Sequence, residues 1–413
     1  MNIHRLIQKI DELAAIGKTG QGGCRRIALT QEDKLGRDWA VARMKALGLE
    51  VKVDRIGNIF GIRHGTEDLA PIMTGSHIDT VGNGGKYDGC YGVIAGLELL
   101  ECLDEAGVQT RRPIIVAVFT NEEGVRFMPD MMGSLVYAGG YPLDDALNTL
   151  GTDGVRLQDA LQQIGYAGSL GCGEISPAAF VELHIEQGPL LEAEGITIGA
   201  VQDLQGISWT EVQISGQSNH AGTTPMHLRR DAAYAAARIT TFVRELAQAM
   251  GGAQVATVGS VRLKPNLINV IAGAADMTVD LRNTDEALLK QAEAHFEAFL
   301  RQLALEEKVQ ISTKRLARFE PVQFDSRLVK LIEQQADTLG YSHKRMTSGA
   351  GHDAQMMARL CPTAMIFVPS VKGISHNPAE HTAPEDLGAG AQVFYNTMLQ
   401  LAMDFGPGIA REN

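Results

Sequence analysis

Three histidines and two acidic residues stand at the ends of apolar segments or in glycine-rich loops, where side chains are free to meet a ligand. Gly75-Ser-His77-Ile-Asp79 follows the apolar run Pro71-Ile-Met-Thr74, and Asn121-Glu122-Glu123-Gly124 follows Pro113-Ile-Ile-Val-Ala-Val-Phe119. His184-Ile-Glu186-Gln187-Gly188 ends Ala179-Phe-Val-Glu-Leu183, and Gly373-Ile-Ser-His376-Asn-Pro378 follows Thr363-Ala-Met-Ile-Phe-Val368 after a short loop. Asp88 lies in Lys86-Tyr-Asp-Gly89, just ahead of a helical pattern from Tyr91 to Ala106. Three imidazoles with two carboxylates suit a pair of borderline divalent ions such as zinc, manganese or cobalt. Two ions need a bridging group, and a carboxylate bridges where an imidazole cannot, so Asp88 takes that role. The expected ligands are His77, Asp88, Glu123, His184 and His376, with Asp79 placed to orient the His77 ring.

The adjacent Glu122 and Glu123 separate into two roles. Neighbouring side chains on extended chain diverge, and where the strand ends one carboxylate can ligate while the other faces the water between the metals. Glu123 is assigned as ligand and Glu122 as general base. Two metals lower the pKa of a shared water and polarise a carbonyl oxygen. Glu122 would take the water proton and pass it to a leaving nitrogen. Each residue alone has an ordinary explanation: a histidine at a strand end or a Glu-Glu-Gly loop is usually just solvated polar chain. Five such residues at four strand ends and one glycine loop favour a metal site.

The elements that must position them follow from periodicity. Near-continuous apolar runs alternate with helical patterns at Thr30–Leu47, Tyr91–Ala106 and Leu157–Ile164. Such runs suit strands buried on both faces, and their alternation with helices implies an α/β domain with a mostly parallel central sheet. Open α/β sheets bind ligands at the carboxyl ends of their strands. The texture changes in the middle. Trp209–Ser215, Val255–Leu263, Ala275–Arg282 and Val309–Arg315 read as strands, with helices over Arg230–Ala249 and Asp285–Leu303. The order β-α-β-β-α-β is ferredoxin-like. Residues 1–207 and 323–413 are therefore read as one catalytic domain, and 208–322 as a unit inserted into it.

Composition excludes several classes. The net charge of −12 without a Lys/Arg cluster argues against nucleic acid as partner. No apolar run reaches the roughly eighteen residues of a membrane span, and Met1–Gly17 reads as an amphipathic helix rather than a signal peptide. Five cysteines, an odd number without a CxxC pair, fit reduced cytosol better than a disulfide framework or thiolate zinc. Gly82-Asn-Gly-Gly85 lacks the Lys-Ser/Thr of a phosphate loop. Thr347-Ser-Gly-Ala-Gly351 lacks the nucleophile-elbow pattern, and Cys90 reads as a small buried residue.

Taken together, Gly75-Ser-His-Ile-Asp-Thr80, Tyr87-Asp-Gly89, Asn121-Glu-Glu-Gly124, His184-Ile-Glu-Gln-Gly188, Asn219-His-Ala-Gly-Thr-Thr-Pro225, Gly349-Ala-Gly-His-Asp353 and Ile374-Ser-His-Asn-Pro378 resemble the hydantoinase/carbamoylase amidases of the aminoacylase-like two-metal peptidase superfamily. The resemblance spans nearly the whole chain. It implies a two-metal catalytic domain with an inserted ferredoxin-like lid, a homodimer made through the lids, a bridging Asp88 and a base at Glu122. It also implies substrate contacts at Gln187, His220, Asn269, Arg282 and the loop around Gly351, which keeps His352 as a minor candidate. Arg282 offers a rigid fork for a substrate carboxylate. His220 and Asn269 can donate to an oxyanion, and Gln187 to a ureido group. The substrate class implied is a small ureido compound bearing a carboxylate. N-Carbamoyl-L-amino acids come first, with allantoate and N-carbamoyl-beta-alanine (the beta-ureidopropionase substrate) as alternatives. A non-catalytic binding protein on this fold would be expected to have lost a ligand or the base; all are present.

Overall fold

The computed structural model describes residues 1–20 and 22–405. The chain forms two compact units: Met1–Gln202 with the chain from Gln323 onward, and Asp203–Val322. The first joint lies at residue 203 rather than near 208. The strand Gly206–Ser215 opens with three buried residues, Gly206, Ile207 and Ser208, so the alternation visible from Trp209 onward does not mark its start.

The large unit is built on a nine-stranded sheet. At its centre lie Ile114–Phe119, Ile72–His77, Ala179–Ile185 and Thr363–Val368, side by side in that order and parallel. Every residue in these four strands is buried, which explains the unbroken apolar sequence of Ile114–Phe119 and the nearly unbroken one of Thr363–Val368. Antiparallel strands flank them: Ile59–Arg63 and Glu50–Val53 on one side, Ile198–Leu204 on the other. These flanking strands escape the sequence reading because they are short or carry mixed composition, as in Glu50-Val-Lys-Val53. Register brings the working ends level. His77 pairs with Phe119, and His184 with Phe367. His77 is thus the last residue of its strand rather than part of the loop after it. Helix Cys90–Glu105 packs on the strands that carry His77 and His184. Thr30 caps helix Gln31–Ala46 by accepting the Asp33 N–H.

The small unit is a four-stranded antiparallel sheet in the order Gln310–Phe319, Gly206–Ser215, Ala274–Asn283, Val255–Lys264. Helices Ala232–Met250 and Glu286–Glu307 complete the expected β-α-β-β-α-β order. Ala275, Met277, Val279 and Leu281 alternate inward from one strand. They meet Ile239, Val243, Phe296 and Leu300 of the helices in a core of their own. Among the described residues no helix is long and apolar enough to cross a membrane.

Candidate metal and catalytic site

The five expected ligands converge at the carboxyl edge of the large sheet, with Asp88 at their centre. His77 Nε2 lies 3.6 Å and His184 Nε2 3.2 Å from Asp88 Oδ1. On the other carboxylate oxygen, His376 Nε2 lies 3.3 Å from Asp88 Oδ2, and it stands 3.5 Å from Glu123 Oε2. Two ligand groups result, His77-Asp88-His184 and Asp88-Glu123-His376, each with its ligand atoms within 4.8 Å of one another. Asp88 belongs to both. Backbone carbonyls set the imidazole tautomers. His77 Nδ1 is 2.9 Å from the Asp79 carbonyl oxygen and His184 Nδ1 2.8 Å from that of Ile185. A carbonyl only accepts, so Nδ1 carries the proton and Nε2 points a lone pair at the site when the ring is neutral. Gly89 makes room for this. Its φ is +64°, and a Cβ there would fall 2.4 Å from His77 Nε2.

Glu122 Oε2 lies 3.4 Å from His77 Nε2, beside the ligand groups and outside both of them. The turn after the strand is made at Asn121, whose φ is +56°. Asp79 meets the His77 ring through its backbone carbonyl rather than its carboxylate, which has a second task. Its carboxylate accepts the N–H groups of both Glu122 and Glu123, each at 3.3 Å, while it stands 3.8 Å from His77 Nδ1. The carboxylate therefore holds the glutamate pair, and the carbonyl of the same residue orients the histidine.

Burial works against charge on every one of these groups. On His77 it is outweighed by Glu122, Asp88 and Asp79, which hold the imidazole pKa well above its ordinary value. His376 is raised to about 9, first by its hydrogen bond to Asp88. Asp88, despite its burial, is held well below the usual carboxylate range by the three imidazoles. Glu123 is pushed up to about 8 by burial and then by Asp88. Glu122 goes well above the ordinary value through burial and the carboxylates of Asp353, Glu123 and Asp88, opposed by His77. Crowded acids of this kind ionise together only beside positive charge. Imidazoles supply it here, and divalent cations seated between the same atoms would supply it more strongly. The donor set, its tautomers and the further carboxylates of Glu122, Asp79 and Asp353 around it fit such ions.

Gln187 joins this centre. Its Nε2 donates to Asp88 Oδ2 at 2.9 Å, and its Oε1 is buried without a hydrogen-bond partner. Gly351 lies half-buried against Met131. The following residue, His352, sets its ring edge-on to His184, centroids 4.6 Å apart. Burial and then His184 depress the His352 pKa well below normal, which favours its neutral form. The other expected contacts belong to the small unit. His220 and Asn269 meet on a two-stranded ribbon, where Asn219–His220 pairs with Val270–Ile271 and the Ala221 N–H donates to the Asn269 carbonyl. His220 Nδ1 accepts the N–H groups of Gly222 and Thr223 at 3.0 and 3.2 Å. Its proton is thereby placed on Nε2, as a donor on an exposed ring. Arg282 donates through Nε and Nη2 to Asp280, 3.0 and 2.9 Å away.

Two residues of this centre escape the sequence reading. Glu182 is fully buried beneath it and accepts from Ser76 Oγ at 2.6 Å and from the Ala354 N–H at 2.8 Å. Its signal is a carboxylate in the middle of a strand that is otherwise apolar except for His184. Glu380 accepts the N–H groups of Tyr87 and Asp88, and nothing distinguishes it from other glutamates in polar loops.

Residues 73–400 match the peptidase family M20/M25/M40. The chain is similar to an N-carbamoyl-L-amino-acid amidohydrolase of Rhizobium meliloti, 40% identical over 403 residues that cover 97% of each protein. It is also similar to the allantoate amidohydrolase of Escherichia coli strain K12, 38% identical over 395 residues, 94% of this chain and 96% of that protein. Among solved structures, an amidase of the hydantoinase/carbamoylase family from Burkholderia multivorans aligns with a TM-score of 0.93 and 43% identity, covering 98% of each chain.

Proposed function

Because the chain belongs to the peptidase family M20/M25/M40 and to the hydantoinase/carbamoylase amidases, we propose that it hydrolyses N-carbamoyl-L-amino acids to the amino acid, carbon dioxide and ammonia. The observation that carries this reading is the pair of ligand groups sharing Asp88, with Glu122 beside them. His77 and His184 would hold one divalent ion and Glu123 and His376 the other, with Asp88 between. Zinc, manganese and cobalt all suit this donor set. Bound there, such ions acidify water and polarise a carbonyl oxygen. Glu122 takes a proton from the attacking water and returns it to the nitrogen that leaves as the amino group. The carbamate released breaks down to carbon dioxide and ammonia. The His220 Nε2–H and the Asn269 side chain are read as donors to the oxyanion, and Gln187 as a partner of the ureido group.

Ammonia release from metal-reconstituted protein tests the reading on a panel of N-carbamoyl-L-amino acids, their D-forms, N-carbamoyl-beta-alanine and allantoate. The expected result is the highest kcat/KM with an N-carbamoyl-L-amino acid, loss of turnover after chelation and its return with zinc, manganese or cobalt. Allantoate is the second reading, favoured by the Escherichia coli relative; a clear preference for it would replace the first. No turnover of any of these compounds would end both.

Arg282 is read as the carboxylate clamp. Charge-assisted hydrogen bonds of this kind are worth about 1.5–3 kcal/mol. Arg282→Ala is expected to raise KM for N-carbamoyl amino acids by about 10–100-fold. An N-carbamoyl amino-acid amide, which lacks the carboxylate, should be nearly unaffected. Equal effects on both compounds would remove the clamp role. The small unit is also read as the dimerisation module. Its edge strand Val255–Lys264 leaves Val255 and Val261 exposed at 46% and 45%, an edge that a second copy would cover. The five free cysteines suit a cytoplasmic setting.

A further inference from the structure

Asp88 and His376 reach the centre from opposite ends of the chain, and one carboxylate joins their loops. Glu380, 6% exposed, accepts the Tyr87 N–H at 3.0 Å and the Asp88 N–H at 3.2 Å, both through Oε1. Its Oε2 accepts the Ser375 hydroxyl at 2.9 Å. The same hydroxyl stands 3.3 Å from Asp88 Oδ2 and 3.4 Å from Gln187 Nε2. The Tyr87–Glu380 link closes 293 residues of chain. His376, on the loop so tethered, is an exposed residue with a φ of +53°, and its ring meets the centre only through Nε2, beside Asp88 and Glu123. Glycine is required opposite the brace: a Cβ at Gly85 would fall 2.1 Å from Glu380 Oε1.

We propose that Glu380 is a positioning residue that locks the Asp88 loop to the Ser375-His376 loop and thereby holds the two ligand groups in register. It touches neither substrate nor reacting atoms. The effect on metal rests on the two-metal reading above, whereas the brace itself does not. Glutamine can replace the carboxylate geometrically. Its amide oxygen keeps the two N–H groups, and its amide nitrogen donates to Ser375 Oγ, which then turns its own hydrogen toward Asp88. Alanine loses all three bonds.

The test uses full-length Glu380→Ala, Glu380→Gln and Ser375→Ala, with two readouts: zinc affinity by chelator competition, and amide hydrogen exchange at Tyr87 and Asp88. Glu380→Ala is expected to weaken zinc binding by about 10–100-fold and to speed exchange at both amides. Glu380→Gln should stay within about threefold of wild type on both readouts. Wild-type zinc affinity and exchange in Glu380→Ala would overturn the proposal. So would a loss in Glu380→Gln as large as in Glu380→Ala, since the charge and not the brace would then be what matters. If Glu380→Ala fails to fold, Ser375→Ala decides, with zinc binding about fivefold weaker expected and unchanged affinity overturning it. A wild-type chain that takes up no zinc would end the metal reading alone. Exchange at Tyr87 and Asp88 would still uphold the brace if Glu380→Ala speeds it, and overturn it if not.

Discussion

Glu122→Gln is expected to leave fold and metal content intact while lowering kcat by about a hundred- to ten-thousand-fold, the usual span for a positioned acid–base group. Glutamine matches glutamate in shape but cannot accept and return a proton. The backbone around it is independent of the carboxylate, because the N–H groups of Glu122 and Glu123 are both held by Asp79. Glu122 lies outside both ligand groups, so its replacement takes no donor away. Glu123→Gln makes the contrast. Glu123 belongs to the group with Asp88 and His376, and its Oε1 also accepts the Val81 N–H at 3.2 Å. That variant should lose metal together with activity. Metal analysis beside steady-state kinetics separates the two. Wild-type turnover in Glu122→Gln would sink the base assignment. Loss of metal from Glu122→Gln would show that the two glutamates have been given each other's roles.

The large unit's central strands and most of the candidate ligands are legible for one physical reason. Strands buried on both faces admit few polar residues, so polar side chains gather where such strands end, as at His77, His184 and the Glu122-Glu123 pair. What stayed hidden depends on backbone direction or on partners remote in sequence. Which part of Asp79 meets His77 is decided by the turn after residue 77: the carbonyl sits at 2.9 Å and the carboxylate at 3.8 Å. Glu380 bonds chiefly to backbone N–H groups hundreds of residues away, and no periodicity in its own loop encodes that. Glu182 lies between these cases. A carboxylate within a strand buried on both faces must find donors, and it has Ser76 and Ala354. Read that way, its place in Ala179–Ile185 marks it as a support beneath the site.

Asp33→Asn is expected to destabilise the large unit by about 3–5 kcal/mol, the usual cost of breaking a buried ion pair by removing one partner's charge. The pair is Asp33 with Arg37, one turn apart on helix Gln31–Ala46, 2.7 Å between Oδ2 and Nε, both side chains 0% exposed. Asp33 Oδ2 also accepts the Leu29 N–H at 2.8 Å. Arg37 spends its other donors on the Gly57 carbonyl at 2.7 Å and on Thr120 Oγ at 3.3 Å. In the asparagine variant the guanidinium remains buried with carbonyl and hydroxyl oxygens but without its paired carboxylate. The double variant Asp33→Leu with Arg37→Met removes both charges and should recover much of the lost stability, because replacing a buried pair by apolar groups is often near neutral. Denaturant midpoints for the three proteins test this, and an unshifted midpoint in Asp33→Asn would sink it. Thr120 precedes the Asn121-Glu122-Glu123 turn, so Arg37 also braces the segment that carries Glu122. The double variant, though stable, should therefore retain its metal and still show a lower kcat. If its kcat equals wild type, the pair supports the fold alone and the Asp79 carboxylate is enough to place Glu122.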